Sequence, residues 1–222
     1  MKLMSICFAF VMLVISVSSA EVFWFEAEAF DEEKSNPVFN DQGLNVVWEI
    51  KESTNQEIRD DLGAFGNMYV IPSGANRDTV PAAAGLVYIL PDVEQTTGWQ
   101  LWIRCIMATG GSDSLFYQIS EDGGDDWGPA TDIHAGATTW EEWLWKSWNI
   151  GVLRKGEGNA IRIAERENGC KLDVVCLRND GMASTNEEYE VYLNTLVNPD
   201  FAVNAKSKLA VAWGKIKSNE PR

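Results

Sequence analysis

Between Val22 and Leu177 the chain is a succession of short apolar-alternating segments, each stopped by a Gly, Pro or Asp-Gly cluster. Val22 to Ala29, Met68 to Ile71, Leu86 to Leu90, Gly98 to Ile106 and Ser114 to Ser120 are such segments. Glu142 to Ile150, Asn159 to Glu165 and Lys171 to Leu177 complete the set, and Leu44 to Ile50 is a further apolar stretch. A period of two places alternate side chains on opposite faces of a strand, whereas a helix needs 3.6. Many short strands at fairly regular spacing bury their apolar faces by stacking as two antiparallel layers. The expected fold class is therefore all-β, a β-sandwich or jelly roll, without internal repeats.

The two ends depart from this pattern. Lys2, an almost wholly apolar run from Leu3 to Val17 and the small residues Ser18-Ser19-Ala20 read as an export signal over 1–20. A spanning helix needs about 20 apolar residues, and no later stretch is long enough. The β-domain is expected over 21–180. Residues 181–222 form an appendage, partly helical or irregular. Within it, Glu187 to Val197 would place Tyr189, Tyr192, Leu193 and Leu196 on one helix face.

The net charge is −15, and removal of Lys2 makes it −16 because 1–20 contains no acid. Such a surface repels nucleic-acid phosphates and anionic lipid, and it suits neutral ligands or divalent cations. Outside the signal segment the cysteines are Cys105, Cys170 and Cys176. Cys170 and Cys176 lie ~20 Å apart along one strand and cannot bridge there. Cys105 could pair with either if their strands neighbour, or all three could be buried thiols. One histidine, His134, and no CxxC exclude a Cys/His metal site.

Glu26 and Glu28 are two apart, so a strand running through Ala29 would carry both on one face. Asp173 lies in the last segment. Three carboxylates meeting where first and last strands neighbour would suit a hard, oxygen-bound cation such as Ca²⁺. A solvated acidic strand face is the competing reading.

The order of Phe25-Glu26-Ala27-Glu28, Met68-Tyr69-Val70, Gly98-Trp99-Gln100-Leu101-Trp102-Ile103-Arg104, and Asp113 to Ile119 resembles the carbohydrate-binding modules of the family 6/35 type. Trp143-Leu144-Trp145, Gly156 to Ile163 and Arg166 to Asp173 continue the resemblance, which covers roughly 22–178. It implies a galactose-binding-domain-like jelly roll and a structural Ca²⁺ held by Glu26, Glu28 and Asp173. It also implies a poly- or oligosaccharide partner bound among loops by exposed aromatics and an Asn. By position these residues are Trp140, Trp127, Asn168, Trp143 and Tyr69. Trp24, Trp102 and Trp145 are assigned to strand cores by alternation.

Ser120-Glu121-Asp122-Gly123-Gly124-Asp125-Asp126-Trp127 resembles a single Asp-box hairpin of sialidases, with Asp126 where Thr is expected. One copy reads as a turn rather than as a hydrolase. No Gly-x-Ser-x-Gly elbow, phosphate loop or dinucleotide fingerprint is present. The leading expectation is a secreted, non-catalytic carbohydrate-binding protein. An extracellular protein-interaction or adhesion module is the first alternative, and a small glycoside hydrolase the second.

Overall fold

The computed structural model describes residues 20–35, 47–53, 63–73, 85–107, 114–134, 142–167 and 169–197. Residues 1–19, expected to belong to an export signal, and the basic segment 206–222 lie outside the described residues. Among the described residues ten strands form two antiparallel sheets, as the alternation predicts. They are β1 (Val22–Glu26), β2 (Val47–Glu52), β3 (Met68–Ser73), β4 (Leu86–Ile89), β5 (Thr97–Ile106), β6 (Ser114–Ser120), β7 (Thr131–His134), β8 (Leu144–Val152), β9 (Ala160–Glu165) and β10 (Lys171–Arg178). A helix, α1 (Asn186–Val197), follows. The larger sheet runs β2-β3-β10-β5-β8, with β1 also paired to β10, and the smaller runs β4-β9-β6-β7.

Strand β10 organises the larger sheet. One side pairs with β5, and the other pairs with β1 over Val174–Arg178 and with β3 at Leu172. First and last strands therefore neighbour, as expected, with Val22 opposite Arg178 and Glu26 opposite Val174. A register shift against β5 falls between Leu172 and Val174, so Asp173 is the extra, bulged residue. The bulge reverses the inside–outside alternation. Leu172 faces the core before it, and Val175 and Leu177 do so after it, leaving Val174 and Cys176 outside.

The main core lies between the sheets, with Trp99, Leu101, Ile103 and Cys105 of β5 meeting Leu115, Ile161 and Ile163. Trp99 is fully buried, stacks on Phe23 at 5.3 Å and donates its indole N–H to the Gln95 carbonyl at 2.7 Å. Cys105, Cys170 and Cys176 are buried thiols, none of them in a disulfide. Although β5 and β10 are neighbours, Leu172 stands opposite Cys105 and Trp102 opposite Cys176, so the buried-thiol reading holds. Burial pushes the Cys105 thiol up to about 12.

Helix α1 packs on the outer face of the larger sheet. Thr185 caps it by accepting the Glu188 N–H at 3.2 Å, a Thr-x-x-Glu start with Glu187 and Glu188 in the first turn. Its face of Tyr189, Tyr192 and Leu193, as the helical spacing predicts, covers Trp24, Trp102, Trp145, Val174 and Cys176. Trp24 lies 5.3 Å from Tyr189 and 5.7 Å from Trp145. These three tryptophans are packing residues, but beneath α1 rather than between the sheets. Packing thus continues past Asp180 as far as the helix.

Arg178, at the end of β10, fastens this layer. It is 1% exposed and forks both ways, to Asp180 (Nε to Oδ1, 2.7 Å) and to Glu188 (2.6 and 2.9 Å). Burial pulls the Arg178 pKa down, but the bonds to Asp180 and Glu188 outweigh it and raise the value.

Candidate functional site

Two places gather polar chemistry. The first is the corner where β1, β10 and β5 meet the segment Gly63–Asn67. Strand β1 ends at Glu26, and Ala27 and Glu28 form a turn in which Ala29 donates its N–H to the Glu26 carbonyl at 2.9 Å, while the Ala27 N–H continues the register to the Asp173 carbonyl at 2.8 Å. The expected strand through Ala29, with both glutamates on one strand face, is corrected accordingly. The bulge buries the Asp173 carboxylate (1% exposed) on the outer side of the sheet. Its Oδ1 accepts the Phe65 N–H at 3.0 Å, and its Oδ2 accepts Nη1 of Arg104.

Arg104 is itself 1% exposed. Its Nε donates to Asn186 Oδ1 at 3.0 Å and its Nη1 to the Gly63 carbonyl at 3.3 Å. Its guanidinium carbon lies 4.4 Å from the Phe65 ring centroid and 5.4 Å from that of Trp143. Burial pushes the Asp173 carboxyl up to about 7, against the pull of Arg104 and of the Phe65 amide. Burial and then the charges of Glu26, Asp173 and Glu28 push the buried Tyr189 phenol up, so these acids share one corner.

At this corner the expected Ca²⁺ set meets a cationic partner, Arg104, on Asp173. Each Asp173 oxygen already accepts one hydrogen bond, one of them from a cationic group. Among the described residues no three Asp, Glu, His or Cys side chains are grouped to hold a metal ion.

The second place is an open groove of about 610 Å³ along one side of the sandwich, between β6–β7 and the edge strand β8. Tyr117, Ile119, Ile150 and Val152 line it with apolar surface, and Thr131, Arg154, Glu121, Asp122 and Asp126 add polar groups. Trp127, Gly128 and Pro129 form part of its wall.

The turn carrying Trp127 is built locally. Ser120 Oγ accepts the Gly124 N–H at 2.9 Å, while Asp122 Oδ1 accepts the N–H groups of Asp125 (3.1 Å) and Asp126 (2.9 Å). Gly123 and Gly124 supply the left-handed backbone, at φ 78° and 92°. The Asp126 N–H, then the Ser120 hydroxyl, hold the Asp122 carboxyl below its ordinary range. Trp127 is half-buried, with the Arg162 guanidinium carbon 4.5 Å from its ring centroid. Arg162 donates Nε to Gln118 Oε1 at 3.0 Å, and Gln118 donates its amide to the Gly128 carbonyl at 2.7 Å. A chain of contacts thus orients the indole from the outer face of the smaller sheet.

Of the described residues expected at a glycan site, Trp127 alone lines the groove. Tyr69 and Trp143 are corrected: they are 4% and 6% exposed and pack edge-to-face at 5.8 Å in a small core with Ala64 and Ile106, leaving no open ring face. Trp140 and Asn168 lie outside the described residues. His134, expected in a loop, is the exposed last residue of β7. Tyr117, Thr131, Ile150 and Arg154 were not singled out in the sequence. A polar Thr in a four-residue strand and an aromatic in an alternating one carry no local mark of a groove.

The described elements define an antiparallel two-sheet sandwich with a side groove. No family model and no curated protein matches the chain. Among solved structures it is similar to the C-terminal CBM6 of LamC, a marine laminarinase from Zobellia galactanivorans. The identity is 10%, over 71% of this chain and 98% of that one, with a TM-score of 0.40. It is similar to a family 35 carbohydrate-binding module from Clostridium thermocellum at 15% identity, over 71% and 97%, with a TM-score of 0.39. It is also similar to the module CBM6cm-2 from Cellvibrio mixtus lichenase 5A in complex with cellotriose. There the identity is 15%, over 74% and 98%, with a TM-score of 0.40. Modules of family 6 and of family 35 are thus both among the structures this chain is similar to.

Proposed function

We propose that this chain is a secreted, non-catalytic carbohydrate-binding β-sandwich that holds an oligosaccharide in the groove beside Trp127. The observation that supports this reading is the composition of the groove. The half-buried Trp127 indole and the aliphatic side chains beside it offer apolar surface to the C–H face of a sugar ring. Carboxylates, a hydroxyl and Arg154 at the same groove can exchange hydrogen bonds with sugar hydroxyls. The excess of carboxylates favours neutral sugars over uronic acids and sulfated ones.

The non-cleaving reading draws support from Asp122, one of the three carboxylates of the groove. A glycosidase needs a carboxyl whose pKa is raised so that it can protonate the leaving oxygen. Asp122 is held the opposite way, below its ordinary range, by the turn that it closes.

Pull-down with insoluble neutral polysaccharides, alongside a glycan array and a reducing-end assay, tests the proposal. Retention without reducing-end release is the expected result. Release of reducing ends would make the chain a hydrolase, and no retention with a captured protein partner would make it an interaction module. For export, the expectation is that intact mass of the protein collected from a secreting host shows a chain starting at Glu21. That residue's N–H already donates to Asn179 Oδ1 at 2.8 Å, and its carboxylate accepts the N–H groups of Glu94 and Gln95. A mass that retains residues 1–20 would refute it.

A further inference from the structure

We propose that Arg104 performs in this chain the tie that the family resemblance assigns to Ca²⁺, so that the β1–β10 corner is closed by an internal guanidinium and needs no metal. The inference rests on the donor set and is independent of the glycan reading.

A divalent cation at Asp173 would need oxygen lone pairs, six to eight of them in all. Here Asp173 gives one oxygen to the Phe65 N–H and the other to Arg104. A guanidinium is always charged and cannot give up its proton to make room. A second positive ion at the same carboxylate would meet it in a site from which water is excluded, where repulsion is strong.

The guanidinium also does what a structural ion does, which is to join segments distant in sequence. It binds β10 through Asp173, the segment before β3 through the Gly63 carbonyl and the Phe65 ring, and α1 through Asn186, while rooted in β5. Asn186 Oδ1 also accepts the Trp145 indole N–H at 2.9 Å, which extends the tie to β8. Its planar fork and flat faces match these partners in a way that a spherical ion or a lysine cannot. Glu26 and Glu28 influence the corner through their charge on Tyr189.

Thermal melts of the full exported chain in EDTA and in millimolar CaCl2 test this directly. The same melting temperature is expected in both, within about 1 °C, because a site filled at a hundred times its Kd would raise it by roughly 5–10 °C. Arg104→Gln is expected to lower the melting temperature by roughly 10 °C in both buffers, and Arg104→Lys by a smaller amount. A rise of roughly 5 °C or more when CaCl2 is added to the wild type would overturn the proposal. So would an Arg104→Gln protein as stable as the wild type. Should the glutamine variant fail to fold, the wild-type comparison decides alone.

Discussion

Arg178→Met is expected to destabilise the protein by about 3 kcal/mol, a fall in melting temperature of roughly 6–12 °C. Methionine keeps much of the side chain's bulk, so the loss isolates the charge. The variant strands two carboxylates, Asp180 and Glu188, that the guanidinium now neutralises, and leaves Ser184 without one of its bonds. Glu188 is 37% exposed on its side chain and can turn to water, which keeps the cost at the lower end for a broken buried pair. Glu188→Gln should therefore cost only about 1 kcal/mol. Denaturant titration gives both values. Limited proteolysis should show faster cutting within Gly181–Val197 in the methionine variant, because the N-terminus of α1 loses its anchor. Equal stability of Arg178→Met and wild type would mean that α1 is an accessory, and the helix would no longer count as part of the fold.

Trp127→Ala is expected to weaken glycan retention by roughly 30-fold or more, the loss typical when a central aromatic of an interface is truncated. The same substitution uncovers Arg162 and removes a cation–π contact of about 0.5–1 kcal/mol, so some stability goes with it. Affinity and melting temperature must therefore be measured together. Trp127→Phe separates the two effects, since it keeps an aromatic face at the groove while reducing its area. An alanine variant that melts lower yet binds the polysaccharide as before would remove Trp127, and with it this groove, from the proposed function. Retained binding in Trp143→Ala would be uninformative by comparison, because Trp143 is buried against Tyr69.

The strands were legible because alternation and turn residues are local, and both sheets follow from them. The neighbouring of β1 and β10 was legible too, from the habits of antiparallel domains. What the sequence concealed depends on a third dimension. Trp24, Trp102 and Trp145 alternate like sandwich-core residues, and only the docking of α1 shows that they point outward. Tyr69 and Trp143 sit in segments that match a binding family, but period two cannot distinguish a ring facing a ligand from a ring facing another strand. Asp173 was legible as an acid in an apolar run. Its bulge, and the arginine that meets it from β5, were not, because register is settled by pairing across 69 residues. The groove forms where the edges of two sheets come together, and no single segment records that.

The seam between β1 and β10 also bears on how the molecule is made. Glu21 and Asn179, which bond to each other at the end of this seam, are 158 residues apart in sequence. During synthesis the first strand leaves the ribosome long before the strand that receives it exists. For that interval Phe23, Trp24 and Phe25 must wait with their backbone edge unpaired, a state that invites association between nascent chains. Closing so long a loop late also makes for slow folding, in the milliseconds-to-seconds range of β-domains dominated by distant contacts. The two edges of this seam finish side by side, so opening the chain at the Gly123-Gly124 turn and linking the segment after α1 to Glu21 would let this seam form first.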